Sequence, residues 1–377
     1  MTSFATLADS VAPMRIIQVG AGGMGRVWLQ LLIDTPDVEL VGLVDLDTEA
    51  AGSALAELGR PDVAIATSLS EIAGSTGAQA IVNITVPVAH HPINVEAMFA
   101  GLPVLCEKPI APTVSQTLSL AAASEASGQL LMTSQSRRYY RSLAAFKQQL
   151  AGLGHLGMAT TEYSMAPRFG GFRKEMASPL LLDMSIHAFD TARYLLDADP
   201  VSVFCDSFSP AWSWYAGDAA ASAIFEFTGG LRYTYVGSWC SPGFETSWNG
   251  AWRVSGSAGT ARWDGESNPT VDPAPSSTPS AVQAGPETIA ASLAEFIDSL
   301  RTGRMPSGEV HSNILSLAMV EAAVESARSG QRVVIAELLE RSYLVAVAEE
   351  TRADVRETLM GWGSAASGIF SMANKLC

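Results

Sequence analysis

Little in this chain of 377 residues suits metal or disulfide chemistry: its 4 cysteines, Cys106, Cys205, Cys240 and Cys377, lie far apart, with no CxxC or Cys/His spacing among them. Zinc sites and disulfide frameworks depend on such spacing, so neither metal nor redox-cysteine chemistry is expected. Positive charge is scarce as well, with 23 Lys and Arg against 38 Asp and Glu and a formal net charge of −15. Such a chain repels phosphate backbones and anionic bilayers, so nucleic acid and membrane are not expected partners. Long apolar runs are missing too; nowhere do about 18 apolar residues follow one another, the length a membrane span requires. The opening stretch carries Asp9 and lacks the basic region of a secretory signal, which makes a cytoplasmic location the expectation.

What the chain has in quantity is apolar residue, 48% of the total, spread over more length than one ordinary core encloses. Two domains are therefore expected. In the first third, short β-branched runs (15–19, 39–44, 80–85 and 103–106) alternate with stretches that carry apolar residues at helical spacing, such as Val27, Leu29, Leu31 and Leu32. That alternation predicts a doubly wound parallel sheet of the Rossmann type, covered on both faces. After about residue 155, longer strand-like runs at 159–164, 201–204, 222–227 and 232–236 follow one another with turn-rich links, and Gly229-Gly230 marks a hairpin. The overall expectation is α/β: a Rossmann domain over 14–135, an α+β domain with a large, mostly antiparallel open sheet over 136–335, and a helical extension over 336–377. One helix is expected at about 180 to 196, an exposed loop over Ser267–Gly285, and a break near Gly361-Trp362-Gly363.

Gly20-Ala-Gly22-Gly23-Met24-Gly25 is a G-x-G-x-x-G placed directly after a strand and before an amphipathic helix. In that context Gly20 permits a tight turn, Gly22 lets backbone approach a pyrophosphate, Gly25 lets helix and strand pack closely, and the helix N-terminus offers unpaired N–H donors. Asp45 ends the next strand, 20 residues after Gly25, where a carboxylate can accept from an adenine-ribose diol. Asp47 and Glu49 follow, with no Arg or Lys between 45 and 59, so a 2′-phosphate would meet carboxylates and NAD is expected over NADP.

Several motifs resemble the Gfo/Idh/MocA oxidoreductases, which include inositol and sugar dehydrogenases. Cys106-Glu107-Lys108-Pro109 follows a short strand, and Val86-Pro87-Val-Ala-His-His91 is similar to the family's Thr-Pro strand end with a histidine four residues on, with Val86 in place of threonine. Ser136-Arg137-Arg138-Tyr139 resembles the family's crossing into the second domain, and Asp183-Met-Ser-Ile-His187 its Asp-x-x-x-His helix. The likeness runs in order over about 14 to 335. It implies a cis Lys108-Pro109 bond, and it extends the nucleotide-binding set beyond Gly20, Gly22, Gly25 and Asp45 to Gly23, Met24, Pro87, His91, Glu107 and Lys108. It also implies catalysis by Lys108, Asp183 and His187.

The chemistry of those side chains agrees with that implication. Hydride loss from an alcohol carbon leaves a proton on oxygen, and neutral histidine titrates in the range to take it. Asp183 precedes His187 by four, so in a helix the two share a face, and the carboxylate can orient the ring or bind substrate hydroxyls; an ordinary helix-surface pair has the same spacing. Lys108, at the carboxyl edge of the sheet, can polarise the reacting oxygen. His91 after Pro87 is read as orienting a helix near the nicotinamide, and His90, His155 and His311 as ordinary polar residues.

The expectation is NAD-dependent oxidation or reduction of a polyol, sugar or sugar derivative. A diol or imine outside the sugars stays open, as does a non-catalytic dinucleotide sensor. Arg168, Arg173 and Lys174 form either an anion-binding or a solvated basic loop. Trp212, Trp214, Tyr215, Trp239, Trp248 and Trp252 are read mainly as core or oligomer residues, with the apolar face of a sugar ring as the alternative partner for one of them. Leu231, Tyr233, Tyr235 and Trp239 alternate onto one strand face, which predicts a homodimer or tetramer built on that face of the C-terminal sheet.

Overall fold

The computed structural model describes residues 4–7, 11–273 and 284–374. It divides into two compact units, one made of 1–135, 289–314 and 342–377, the other of 136–288 and 315–341.

In the first unit six parallel strands form one sheet: β1 (Met14–Val19), β2 (Val38–Val44), β3 (Ala64–Ala66), β4 (Ala80–Asn83), β5 (Val104–Glu107) and β6 (Leu131–Ser134), in the order β3-β2-β1-β4-β5-β6. This is the doubly wound Rossmann order, and its direction reverses between β1 and β4, where such sheets open a crevice for ligands. The strands read as continuous apolar runs because helices cover both faces. The crossovers are α1 (Gly23–Asp34), α2 (Thr48–Glu57), α3 (Leu69–Thr76), α4 (Pro87–Phe99) and α5 (Val114–Ser127). Helix α1 turns Gly25, Trp28, Leu29 and Leu32 inward at the i, i+3, i+4, i+7 spacing of an amphipathic helix.

The second unit holds α6 (Arg141–Leu150), β7 (Leu156–Ser164), a short helix α7 (Phe172–Glu175), α8 (Ser185–Leu196), β8 (Pro200–Phe208), β9 (Ala220–Phe227), β10 (Arg232–Ser238), β11 (Ala251–Gly256), β12 (Gly259–Trp263), β13 (Thr270–Asp272) and β14 (Val333–Val334). The eight strands run β13-β12-β11-β7-β10-β9-β8-β14, antiparallel except for β7 beside β10. Gly229 and Gly230, with φ of 75° and 81°, turn the β9–β10 hairpin. The predicted loop over Ser267–Gly285 contains β13, and its residues 274–283 lie outside the described residues, as does Cys377.

The predicted association face is corrected here. Leu231, Tyr233, Tyr235 and Trp239 are at most 4% exposed within the single chain. Helix α8 covers the two tyrosines, its Phe189 ring standing 5.3 Å from Tyr235 and 6.4 Å from Tyr233, while Trp252 stacks on Tyr233 at 5.9 Å and Tyr215 on Trp239 at 5.7 Å. The alternation marks a covered core face, since period-two patterning cannot tell a helix of the same chain from a second copy as the cover. The opposite face leaves Met158, Phe204, Ile224 and Val236 between 41% and 49% exposed.

Five more helices follow among the described residues: α9 (Thr288–Thr302), α10 (Val310–Ser329), α11 (Ile335–Glu349), α12 (Ala353–Trp362) and, after a left-handed Gly363, α13 (Ala365–Asn374). Helix α12 packs along α5 of the first unit. Two polar links fasten this region: Ser119 donates to Glu350 at 2.6 Å, and Trp362 Nε1 to Glu125 at 3.4 Å. Among the described residues no helix is long and apolar enough to cross a membrane.

Candidate functional site

At the end of β1 the chain turns through Gly20, whose φ of 99° is open to glycine at little cost. A Cβ there would meet the Ile84 carbonyl oxygen at 2.7 Å, and one on Gly25 the Gly20 oxygen at 2.4 Å, so the turn closes on bare backbone. Around Gly22 and Gly23 such an atom would meet nothing within 4 Å, and Gly22 caps α1 without a side-chain bond. There is thus room beside the N-terminus of α1, beginning at Gly23-Met24, where unpaired helix donors suit a pyrophosphate. Asp45 stands beside this turn, its Oδ2 accepting from Ala21 N at 2.7 Å and its Oδ1 from Asp47 N at 2.9 Å. Asp47 caps α2 by accepting from Ala50 N. Gln18 went unnoticed in the sequence because it reads as one polar residue in an apolar strand; its amide donates to Gly20 O at 2.7 Å and Gly25 O at 2.8 Å and clamps the loop.

A second cluster forms at the ends of β4 and β5. Glu107 accepts from Trp28 Nε1 at 3.0 Å and from Lys108 N at 3.1 Å; burial pushes its carboxyl pKa up, against the pull of Lys108 and Trp28. Lys108-Pro109 is cis. The Pro109 carbonyl lies 2.6 Å from His90 Nδ1, and the Thr85 carbonyl 3.0 Å from His90 Nε2. Burial lowers the His90 pKa, against the opposite pull of these two carbonyls. Asn83 ties the same loop, accepting from Thr85 N and Oγ1 and donating to Asn94. Pro87 is the first residue of α4.

His90, which the sequence marks only as an ordinary polar residue, thus braces the Lys108 loop, whereas His91 bonds to Ser119 on α5 at 3.0 Å. The helical phase gives the signal: His90, Asn94, Ala97 and Met98 make the buried stripe of α4, and His91 is off it. His311 is also no ordinary polar residue. It is 2% exposed and held between Glu309 (2.6 Å) and Glu125 (2.9 Å).

In the second unit, His187 lies in the first turn of α8 and lines a cavity with Arg137, Tyr163, Tyr235, Trp248 and Asn249. Asp183 precedes it in a π-helical turn, Leu180–Met184, so the even i, i+4 geometry expected of one α-helix is interrupted between them. The Asp183 carboxylate accepts from Arg173 Nε at 2.6 Å. Arg168 lies over Trp214 at 4.1 Å. Of the tryptophans, Trp239 and Trp252 are core, Trp212 is 64% exposed, and Trp248 contributes to the cavity wall.

Comparison with known proteins agrees with these arrangements. A family model described as "Oxidoreductase family, NAD-binding Rossmann fold" matches residues 14–135, and "GFO/IDH/MocA C-terminal domain" matches 153–262. The chain is 27% identical over 359 residues to the uncharacterized protein y4oX of Sinorhizobium fredii, covering 89% of this chain and 99% of that one. To the 1,5-anhydro-D-fructose reductase of Ensifer adhaerens it is 24% identical, covering 83% and 96% of the two chains. A crystal structure of an Agrobacterium radiobacter oxidoreductase in complex with NAD+, L-tartaric acid and magnesium superposes with a TM-score of 0.77 at 19% identity, over 87% of this chain and 100% of that one. With a glycine turn open for a pyrophosphate in one unit, a histidine-lined cavity in the other, and models matching both, the chain belongs to the Gfo/Idh/MocA family of oxidoreductases, with an NAD-binding Rossmann domain.

Proposed function

We propose that the protein is an NAD-dependent dehydrogenase or reductase acting at a secondary alcohol or carbonyl of a polyol, sugar or sugar derivative. The observation that carries this reading is His187, in the first turn of α8, lining a cavity together with Arg137, Tyr163, Tyr235, Trp248 and Asn249. When bound, the nicotinamide supplies hydride exchange. The Gly20–Gly25 turn holds its pyrophosphate, and Asp45 the adenine ribose, with Pro87, His91 and Glu107 completing the nucleotide set. Lys108 stabilises negative charge on the reacting oxygen. His187 takes the alcohol proton in oxidation and returns it in reduction, and Asp183, its charge balanced by Arg173, assists.

The substrate class draws support from a relative named for a sugar, 1,5-anhydro-D-fructose, and from a similar structure crystallised with tartaric acid. Association into a homodimer or tetramer through the outer sheet face with Phe204, Ile224 and Val236 belongs to the same reading, and a monomeric mass by light scattering at micromolar protein overturns that part. The decisive test is absorbance at the reduced-nicotinamide band while purified protein and NAD are screened against sugars, inositols and their acids. Turnover with at least one is expected. Bound cofactor that never changes redox state across the panel overturns the enzyme in favour of a dinucleotide sensor.

A further inference from the structure

Two consecutive arginines on one short turn, Ser136–Tyr139, are compensated in opposite ways. Arg138 grips Asp190 of α8 with two bonds, Nε to Oδ2 at 2.7 Å and Nη2 to Oδ1 at 2.6 Å, and Ser316 donates to the same carboxylate at 2.6 Å. That pair anchors the turn. Arg137, next to it, donates from Nη1 to the neutral amide oxygen of Asn249 and forms no ion pair among the described residues. Burial pulls its pKa down, and the charged-state partners that oppose this are only the phenols of Tyr140 and Tyr163. Asp183 already faces Arg173.

A half-buried guanidinium without a counter-ion is costly to maintain. This one is nevertheless held in place. The Asn249 amide cannot turn away, because its Nδ2 donates to Gly265 O at 2.7 Å, its backbone N to Ser247 Oγ at 3.1 Å, and its carbonyl accepts from Trp252 Nε1 at 2.8 Å. The loop is closed on Gly265, whose φ is 93° and where a Cβ would meet Ser247 Oγ at 1.9 Å and Gly250 O at 2.4 Å. A cation is thus presented, pre-oriented and uncompensated, to the cavity that His187 lines.

We propose that Arg137 receives the carboxylate of the substrate, so that the reacting molecule is a polyhydroxy acid such as a sugar acid rather than a neutral sugar or cyclitol. The inference rests on the dehydrogenase reading and names the substrate class within it. The planar fork of a guanidinium matches a carboxylate through two parallel bonds, which fixes the ligand's orientation as well as its charge. Asn249 is a positioning residue, acting through Arg137.

The test uses full-length NAD-loaded protein and matched pairs, D-glucuronate with D-glucose and D-galacturonate with D-galactose, and D-glucose 6-phosphate as a further anion. Binding is followed by calorimetry and turnover by reduced-nicotinamide absorbance. At least one acid should bind tenfold or more tightly than its neutral partner, and Arg137→Met should remove that preference, raising KM for the acid more than it lowers kcat, while Arg137→Lys keeps part of it. Asn249→Asp, which sets a carboxylate against the guanidinium, should also abolish the preference with Arg137 still present, and so stands in if Arg137→Met does not fold. Absence of binding by either acid, equal binding of neutral partners, a preference for the phosphate over both acids, or an acid preference untouched by both variants overturns the proposal. Turnover of neutral sugars alone overturns it and leaves the dehydrogenase reading intact. Arg137-dependent acid binding with no turnover in the panel supports the carboxylate site and counts against the dehydrogenase.

Discussion

The nucleotide turn draws on one short stretch of backbone, residues 18 to 25, plus Asp45. The cavity of the second unit draws side chains from residues as far apart as 137, 187 and 249. In the turn the chemistry belongs to main-chain N–H groups, so the sequence must only leave room for them, and glycine does so at fixed spacing. In the cavity the chemistry belongs to side chains, and their placement depends on which strand pairs with which and on partners such as Asp190 and Gly265. A backbone site should therefore fail when a side chain is added, and a side-chain site when one is removed.

The largest expected effect comes from removal. His187→Ala leaves the Gly20–Gly25 turn intact and takes away the proposed proton acceptor, so turnover should fall by roughly 10²- to 10⁴-fold with NAD affinity nearly unchanged. Lys108→Met should act alike, by removing the cation proposed to stabilise the developing alkoxide. Near wild-type kcat in both variants, on a substrate found by screening, would show these residues to be structural. Addition is the converse test. Gly20→Ala puts a Cβ 2.7 Å from the Ile84 oxygen at a φ of 99°. An L-residue held there costs about 1–3 kcal/mol, so NAD binding by fluorescence titration should weaken roughly 10- to 100-fold. Unchanged affinity would mean that the turn relaxes and that its closeness is not what binds the nucleotide.

How far the sequence revealed these sites follows the same division. The Rossmann order and the glycine turn were legible because each is local: strand, turn and helix follow one another within the stretch from Met14 to Asp34. The mostly antiparallel second sheet was legible from alternation and from Gly229-Gly230. The cover on its inner face was not, since the alternation of Tyr233 and Tyr235 does not say that Phe189 packs there. Candidate residues Lys108, Asp183 and His187 were found through the resemblance and through spacing. The partners that orient the loops, Gln18, His90 and Asn249, were not: each is one polar residue whose bond depends on a turn or loop formed elsewhere. Helical phase on α4 could have preferred His90 over His91.

The first unit also contains a side-chain cluster of the long-range kind, which sharpens the contrast by separating construction from location. Burial alone would lower the pKa of His311, but Glu309 and Glu125 override it and push it up to about 9. A folded pKa above the unfolded value near 6.5 contributes stability that is fully present below about pH 6.5 and is lost as pH rises through about 9. Between pH 7 and pH 9 the loss should be on the order of 2 kcal/mol. Thermal melting should therefore fall by a few degrees over that range, and His311→Gln should flatten the pH dependence while lowering stability at pH 7. A wild-type melting profile that is flat from pH 7 to pH 9.5 would mean that the imidazole is not charged between its two carboxylates.

The smallest effect tests a side chain that braces the backbone site from the next strand. Asp45 has two jobs that the sequence suggested as one: its Oδ2 already fixes Ala21 N in the turn, and its Oδ1 accepts from Asp47 N, while either oxygen has a second lone pair for a ribose hydroxyl. A 2′-phosphate at the same place would face this carboxylate with Asp47 and Glu49 nearby and no Arg or Lys among residues 45 to 59. NAD should therefore bind at least about tenfold more tightly than NADP, a difference of about 1.4 kcal/mol. Asp45→Ala removes both functions: NAD affinity should fall, because the turn loses its brace at Ala21 and the ribose its acceptor, and NADP affinity should change less, because repulsion is relieved. Asp45→Asn keeps a neutral acceptor for the turn and removes the charge, so it should narrow the preference while holding more of the NAD affinity. Titration of both nucleotides against both variants separates the two jobs. If Asp45→Asn keeps the full preference, charge at Asp45 is not what excludes the phosphate, and its place in the site is to hold the turn.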